Sequence, residues 1–277
     1  MATASRAFGI LAAVGGALAI STGAFAADLA VRPVYKAPPP PPVFTWTGFY
    51  VGGTVGASWT KADTSLNTVN GAQALYDPLD IPNLNAFGSP HFSQTNAIVG
   101  AKAGYNQQWG TWVLGVEGDI SWFRFNPTVA NAGNPFIVTF PGGGSATISS
   151  SVSTSWLATI RGRAGFAADH WLIYATGGGA FANVGYSNNY RGFSPLGSGF
   201  EFEAASASQT RVGWAAGVGA DYALSQHLVL SAEYLHVDLG SISAAGLVTT
   251  GSARTGIFNF STKLTSDILR FGAAYKF

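Results

Sequence analysis

Along much of this 277-residue chain the side chains change character at every second position, and that period of two does most to limit its fold. In residues 112–124, Trp112, Leu114, Val116, Ile120 and Trp122 share one parity, while Glu117 and Asp119 share the other. A period of two belongs to an extended strand with two unlike faces, because a helical stripe returns only every three to four residues. The pattern recurs in 154–168, where Trp156, Ala158, Ile160, Ala164 and Phe166 oppose Arg161 and Arg163. In 209–224, Val212, Trp214, Val218 and Tyr222 oppose Arg211 and Asp221. In 228–240, Leu228, Leu230, Ala232 and Tyr234 oppose Glu233, and in 264–277, Leu269, Phe271, Ala273, Tyr275 and Phe277 oppose Arg270 and Lys276. Residues 94–108 set Ala97, Val99, Ala101, Ala103 and Tyr105 against Lys102. Residues 48–60 and 171–186 complete a set of eight strands, although Gly177–Gly179 blurs the parity of the latter.

Short and long connections alternate. Gln108–Thr111, Ala168–His170 and Ser225–His227 read as tight turns, and 61–93, 125–153, 187–208 and 241–263 read as long loops. Three aromatic pairs then supply a length. Phe49 and Trp59, Trp112 and Trp122, and Trp156 and Phe166 each lie ten residues apart on one face. Ten residues tilted by roughly 40° cover about 25 Å, the height of a lipid-facing band between aromatic girdles. Tyr105, Trp171, Tyr222, Tyr275 and Phe277 belong with the girdle at the short turns, and Trp214 and Tyr234 with the opposite one. The expected fold is all-β: an eight-stranded antiparallel up-and-down transmembrane barrel with short periplasmic turns and long extracellular loops.

Composition agrees. Charged residues are 10% and hydrophobic residues 47% of the chain, yet after the N-terminus no apolar run reaches the roughly 18 residues that a spanning helix needs. A net charge of +1 gives no basic excess to attract nucleic acid. The absence of cysteine removes disulfides, thiolate metal sites and cysteine nucleophiles. Residues 1–26 read as a signal peptide: Arg6, an apolar stretch from Ala7 to Ile20, then Ala24-Phe25-Ala26 before a cleavage point. Residues 27–45, with Pro38 to Pro42, read as a periplasmic proline-rich spacer, and 46–277 as the barrel.

Charges facing lipid at the membrane midplane are costly, so those on the second parity are assigned to the lumen. This gives a candidate network of Lys102, Glu117, Asp119, Arg161, Arg163, Arg211, Asp221, Glu233 and Arg270, with Glu117 and Glu233 expected to pair with Arg161 and Arg211. Eight strands enclose a bore that side chains just fill. The near balance of signs favours a salt-bridged plug, while lumen-facing Gly52, Gly56, Gly100, Gly104, Gly165, Gly217 and Gly219 leave room for a narrow charged pore.

The motifs Trp46-Thr47-Gly48-Phe49-Tyr50-Val51-Gly52-Gly53, Gly115-Val116-Glu117-Gly118-Asp119, Ile160-Arg161-Gly162-Arg163-Ala164-Gly165, Gly213-Trp214-Ala215-Ala216-Gly217-Val218-Gly219 and Ala232-Glu233-Tyr234 with Val237-Asp238-Leu239-Gly240 occur in strands one, three, four, six and seven. With a last strand, Leu269 to Phe277, ending in phenylalanine, they resemble the small alphaproteobacterial outer-membrane β-barrels of the porin-family or surface-antigen type, which are similar to the OmpA transmembrane domain. The resemblance implies an outer-membrane structural and surface-antigen role in a Gram-negative envelope, set in lipid and lipopolysaccharide. It also implies handling by periplasmic chaperones and the barrel-assembly machinery through Phe277, and closure predicts a monomer. A small porin-like channel is the second reading and a lipid-modifying enzyme a distant third. For the enzyme, His236 and Asp238 with a loop serine are the one imaginable triad; His91, His170 and His227 lie elsewhere. No metal-ligand spacing or cofactor motif appears, and the glycines at 142–144 and 177–179 open no phosphate loop.

Overall fold

The computed structural model describes residues 44–138, 143–194 and 199–277. The signal segment 1–26 and the Pro38–Pro42 run lie outside the described residues. The strands are β1 (Gly48–Asn70), β2 (His91–Trp109), β3 (Trp112–Phe125), β4 (Thr128–Gly133), β5 (Ser145–Ala168), β6 (Trp171–Ser194), β7 (Gly199–Ala223), β8 (Leu228–Thr250) and β9 (Gly256–Lys276), with one short helix, α1 (Ile81–Phe87), between β1 and β2.

Spatial order is β3-β2-β1-β9-β8-β7-β6-β5-β4, and β3 also pairs with β5. Eight antiparallel strands therefore close into a ring of nearest neighbours, the up-and-down barrel expected from the pattern. The ninth strand, β4, continues the line of β3 along β5. Phe125 pairs with Thr154 and Thr128 with Ser151, while Asn126 and Pro127 sit between. Proline has no N–H to give to the ladder, so β3 stops there and pairing resumes beyond it.

The strands are far longer than the alternation around the charges suggested. β5 and β6 each run 24 residues, about 60 Å of height at a tilt of about 40°. The expected loops at 61–93, 187–208 and 241–263 are corrected accordingly: β1 extends to Asn70, β2 begins at His91, β6 and β7 meet across 195–198, and β8 and β9 across 251–255. Most of 125–153 is likewise strand, as β4 and the first part of β5. The reason lies in the faces. On β9, outward-facing Tyr275, Phe271 and Leu269 give way to Asp267, Thr265, Lys263, Ser261 and Asn259, while inward-facing Lys276 and Arg270 give way to Ile268, Leu264, Phe260 and Phe258. The alternation continues without a break, and its chemistry inverts.

The tight turns stand where expected. Gly110 takes φ +60° in the β2–β3 turn and Asp169 takes φ 50° in the β5–β6 turn, conformations that glycine and aspartate tolerate better than most residues.

Candidate functional site: a sealed lumen

The lower half of the bore holds the ionic residues. Arg161 on β5 lies at the centre: Nη2 is 2.7 Å from Glu117 Oε1 and 2.9 Å from Asp119 Oδ2, and Nη1 is 2.8 Å from Glu233 Oε1. Arg270 on β9 binds Glu233 Oε2 at 2.6 Å and Asp119 Oδ1 at 2.8 Å. Arg163 reaches Asp221 on β7 and lies 3.4 Å from Glu117 Oε2. Lys102 on β2 sits 3.6 Å from Glu117 Oε2 and donates to Ser231 Oγ at 3.1 Å. All eight residues are buried. Strand geometry places several of them, since Glu117 stands directly opposite Arg161, Glu233 opposite Arg270 and Lys102 opposite Asp119.

Neutral donors complete the set. Tyr50 on β1 donates to Glu117 Oε2 at 2.8 Å and accepts from Arg163 Nη1 at 3.0 Å. Thr159 donates to Asp119 and accepts from Arg161 Nε. On β6, the ring of Tyr174 lies 3.8 Å beneath the Arg163 guanidinium. The lumen-facing glycines make room for these rings. A Cβ on Gly104 would stand 2.4 Å from Tyr50 Oη, and one on Gly219 would stand 2.5 Å from the Tyr174 ring. Buried charges are tolerable only when paired and hydrogen-bonded, and here four cations face four carboxylates.

Arg211 corrects the expected set. It shares the inward parity of Asp221 but lies opposite Ala182, above the network. Its Nη2 comes within 3.4 Å of where a Cβ on Gly240 would stand, and it makes no ion pair among the described residues. The expected pairing of Arg211 with Glu117 or Glu233 does not form; Arg270 takes that place beside Glu233. Without Arg211, the lumen cluster carries equal numbers of each sign.

Both mouths are filled by residues that the alternation did not single out. At the periplasmic end Trp46, 2% exposed, packs with Val113, Leu172, Tyr174 and Val229, and Phe44 meets it edge-on at 5.0 Å. Gln108 Oε1 holds the Trp46 amide at 2.8 Å. Trp46 lies before the first strand, so periodicity gave no signal for it. In the outer half the bore is packed with apolar side chains, among them Leu66, Phe92, Phe123, Phe125, Phe258 and Phe260. The β1–β2 connection turns down into this core through Leu75, Tyr76 and Leu84 of α1 and its lead-in. Tyr76 stacks between Phe136 and Phe258 at 5.9 and 6.0 Å.

Two carboxylates sit inside that apolar half. Glu201 accepts from Tyr190 at 2.9 Å and Tyr76 at 3.1 Å. Glu203 accepts from Asn188 Nδ2 at 2.7 Å, and burial pushes its carboxyl up to about 7. Neither was expected, because 187–208 read as a loop.

The aromatic residues of the ten-residue pairs line the outer wall. Phe49, Trp59, Trp112, Trp122 and Phe166 are exposed, as are Tyr275 and Phe277, while Trp156 is half-buried. Trp112 stands opposite Phe166 and Trp122 opposite Trp156, so the pairs mark two levels on neighbouring strands. The imagined His236–Asp238 dyad is not assembled. His236 Nδ1 meets Asp267 Oδ1 at 2.8 Å, an oxygen that Tyr234 also reaches at 2.7 Å, and Asp238 pairs with Lys263 at 3.0 Å. No group of three or more metal-ligating side chains occurs among the described residues.

A closed antiparallel ring with an apolar outer belt and a charged interior is a transmembrane β-barrel, and barrels with this polarity belong to bacterial outer membranes. A family model for the outer membrane protein beta-barrel domain matches residues 12–277, and the chain belongs to that family. It is 28% identical to the 31 kDa outer-membrane immunogenic protein of Brucella melitensis over 271 residues, covering 97% of this chain and 98% of that one. It is 26% identical to the 25 kDa outer-membrane immunogenic protein of Brucella abortus, over 94% of this chain and 93% of that one. Among solved structures, the outer membrane protein OprG of Pseudomonas aeruginosa aligns over 84% of this chain and 99% of its own, at a TM-score of 0.41 and 13% identity. The protein is an outer-membrane barrel with a structural or surface role.

Proposed function

We propose that this barrel conducts no solute and catalyses no reaction, and that it acts as a rigid pedestal displaying its outer rim at the cell surface. The observation that carries this reading is the double filling of the bore, a neutral eight-residue ion network below and an aromatic core above. A conduit needs a wetted path, and two filled layers in series weigh against one. The His236–Asp267 pair on the outer wall, with the Tyr234 hydroxyl on the same oxygen, supports the non-enzymatic reading. Closure of the ring through the ladders of its lower half, where every strand pairs with both neighbours, supports a monomer. Phe277, exposed at the end of the last strand, supports recognition by periplasmic chaperones and the assembly machinery. Residues 1–26 act as the signal peptide that delivers the chain to the periplasm, and 27–45 as the spacer. The named relatives are immunogenic proteins, and the pedestal offers the same presentation to antibodies.

The chain has no cysteine, so single introduced cysteines report topology without background. Ser252→Cys and Asn259→Cys label with a membrane-impermeant maleimide on intact cells, while Asp169→Cys labels only after the outer membrane is permeabilised. Labelling of Asp169→Cys on intact cells, with Ser252→Cys silent, would reverse the orientation and end the display reading.

A further inference from the structure

Directly above the apolar belt, two strands lose register side by side. The β3–β5 ladder slips between Trp122 and Phe125, and the β5–β6 ladder slips between Thr154 and Leu157. A bulge bends its strand and re-aims side chains, and these two open a groove of about 350 Å³ on the outer wall. Arg124, Asn126, Ser153, Ser155, Asn183 and Ser208 line it. Its floor includes Thr154, whose buried Oγ1 has no hydrogen-bond partner among the described residues.

Three features fix what fits there. The first is height. Trp122, 73% exposed, and its cross-strand partner Trp156 lie immediately below the groove and end the apolar belt on these strands, so the groove sits in the plane of the outer-leaflet head groups. The second is charge. Of the other cations outside the bore, Lys263 pairs with Asp238 at 3.0 Å, His91 with Asp63 at 2.9 Å and His236 with Asp267 at 2.8 Å, while Lys61, Arg191 and Arg254, which make no ion pair among the described residues, lie outside the groove. Arg124 makes no ion pair among the described residues. A guanidinium left without a carboxylate offers a fork of donors that matches a phosphate. The third is the lining, in which hydroxyl and amide groups supply the donors and acceptors that sugar hydroxyls require.

We infer that this groove binds the phosphorylated sugar head group of an outer-leaflet glycolipid, with Arg124 on the phosphate, Asn126, Asn183 and the serines on the sugar, and the acyl chains against Trp122 and Trp156. The site gives the barrel a preferred lipid neighbour on the β3–β5–β6 side of its wall.

The test is native mass spectrometry of the refolded protein in detergent, titrated with bisphosphorylated lipid A, with dephosphorylated lipid A and with inorganic phosphate. The heat-dependent gel shift of a folded barrel checks each variant. Wild-type protein retains bisphosphorylated lipid A. Arg124→Gln weakens that binding by at least about tenfold, in line with loss of a charge-assisted contact. Asn183→Asp, which adds a repelling charge while leaving Arg124 in place, weakens it similarly. Lys263→Gln, a wall cation outside the groove, stays within about twofold, and dephosphorylated lipid A binds wild type no better than the intact lipid binds Arg124→Gln. Unchanged binding in Arg124→Gln and Asn183→Asp overturns the inference. So does an equal loss in Lys263→Gln, the mark of diffuse interfacial charge, and so does inorganic phosphate binding as tightly as the lipid, the mark of a free-anion site.

Discussion

Arg161 is held by three carboxylates from β3 and β8 at 2.7 to 2.9 Å, with no exposed surface on its side chain. Arg211, equally cationic and inward in parity, has none among the described residues. The two residues therefore separate burial from pairing. Arg161→Met strands an acidic cluster and lowers unfolding stability in guanidinium by about 3–5 kcal/mol. Arg211→Met leaves no buried partner behind and changes stability by less than about 1 kcal/mol. Glu203 adds a pH dependence. Its folded carboxyl, pushed up from 4.5 to about 7 by burial, holds its proton more tightly than the unfolded chain does. Its contribution to stability is thus fully present below about pH 4.5, fades as pH rises toward 7, and stays lost above. Glu203→Gln raises the unfolding midpoint near pH 8 and leaves it unchanged near pH 4. Parity in the sequence tells which face a side chain takes, and it placed Glu117, Asp119, Arg161, Arg163 and Arg270 inward. It does not tell height, so it cannot separate Arg211, three positions above Trp214, from the ionic cluster below.

At the scale of the strand, the inversion along β9 explains both what was legible and what was not. From Leu269 to Phe277 the outward face is apolar and the alternation is plain. From Asn259 to Asp267 the outward face is polar, so a reader tracking outward hydrophobes loses the strand, although Phe258, Phe260, Leu264 and Ile268 keep the same step on the inward face. The physical cause is a change of solvent. Lipid outside asks for apolar side chains outward and permits charges inward, while water outside asks for the reverse. An arginine probe locates the change. Phe271→Arg, facing lipid, costs about 2–4 kcal/mol near the midplane, whereas Asn259→Arg, facing water, costs less than about 0.5 kcal/mol. Refolding into lipid vesicles followed by guanidinium titration measures both, and equal costs would place the two positions in one medium. The extra strand β4 escaped the sequence for a simpler reason, since the Asn126-Pro127 break looked like the start of a loop.

Across the whole molecule, all eight strands of the ring send a side chain into the ionic layer or to a hydrogen bond with it: Tyr50, Lys102, Glu117, Arg161, Thr176, Asp221, Glu233 and Arg270 in chain order. On the proposed reading, a layer tied to every stave resists the breathing that would wet the bore, and the aromatic core above it adds a second barrier. Trp46 and Phe44 close the periplasmic side. The barrel is thus held from within by paired charge and from above by apolar packing, and its outer half is a solid stem rather than a vestibule. Planar-bilayer recording from refolded, heat-shift-competent protein tests this most directly. The sealed lumen predicts a flat baseline with no discrete openings, whereas stable openings of uniform size from the unaltered chain would contradict it.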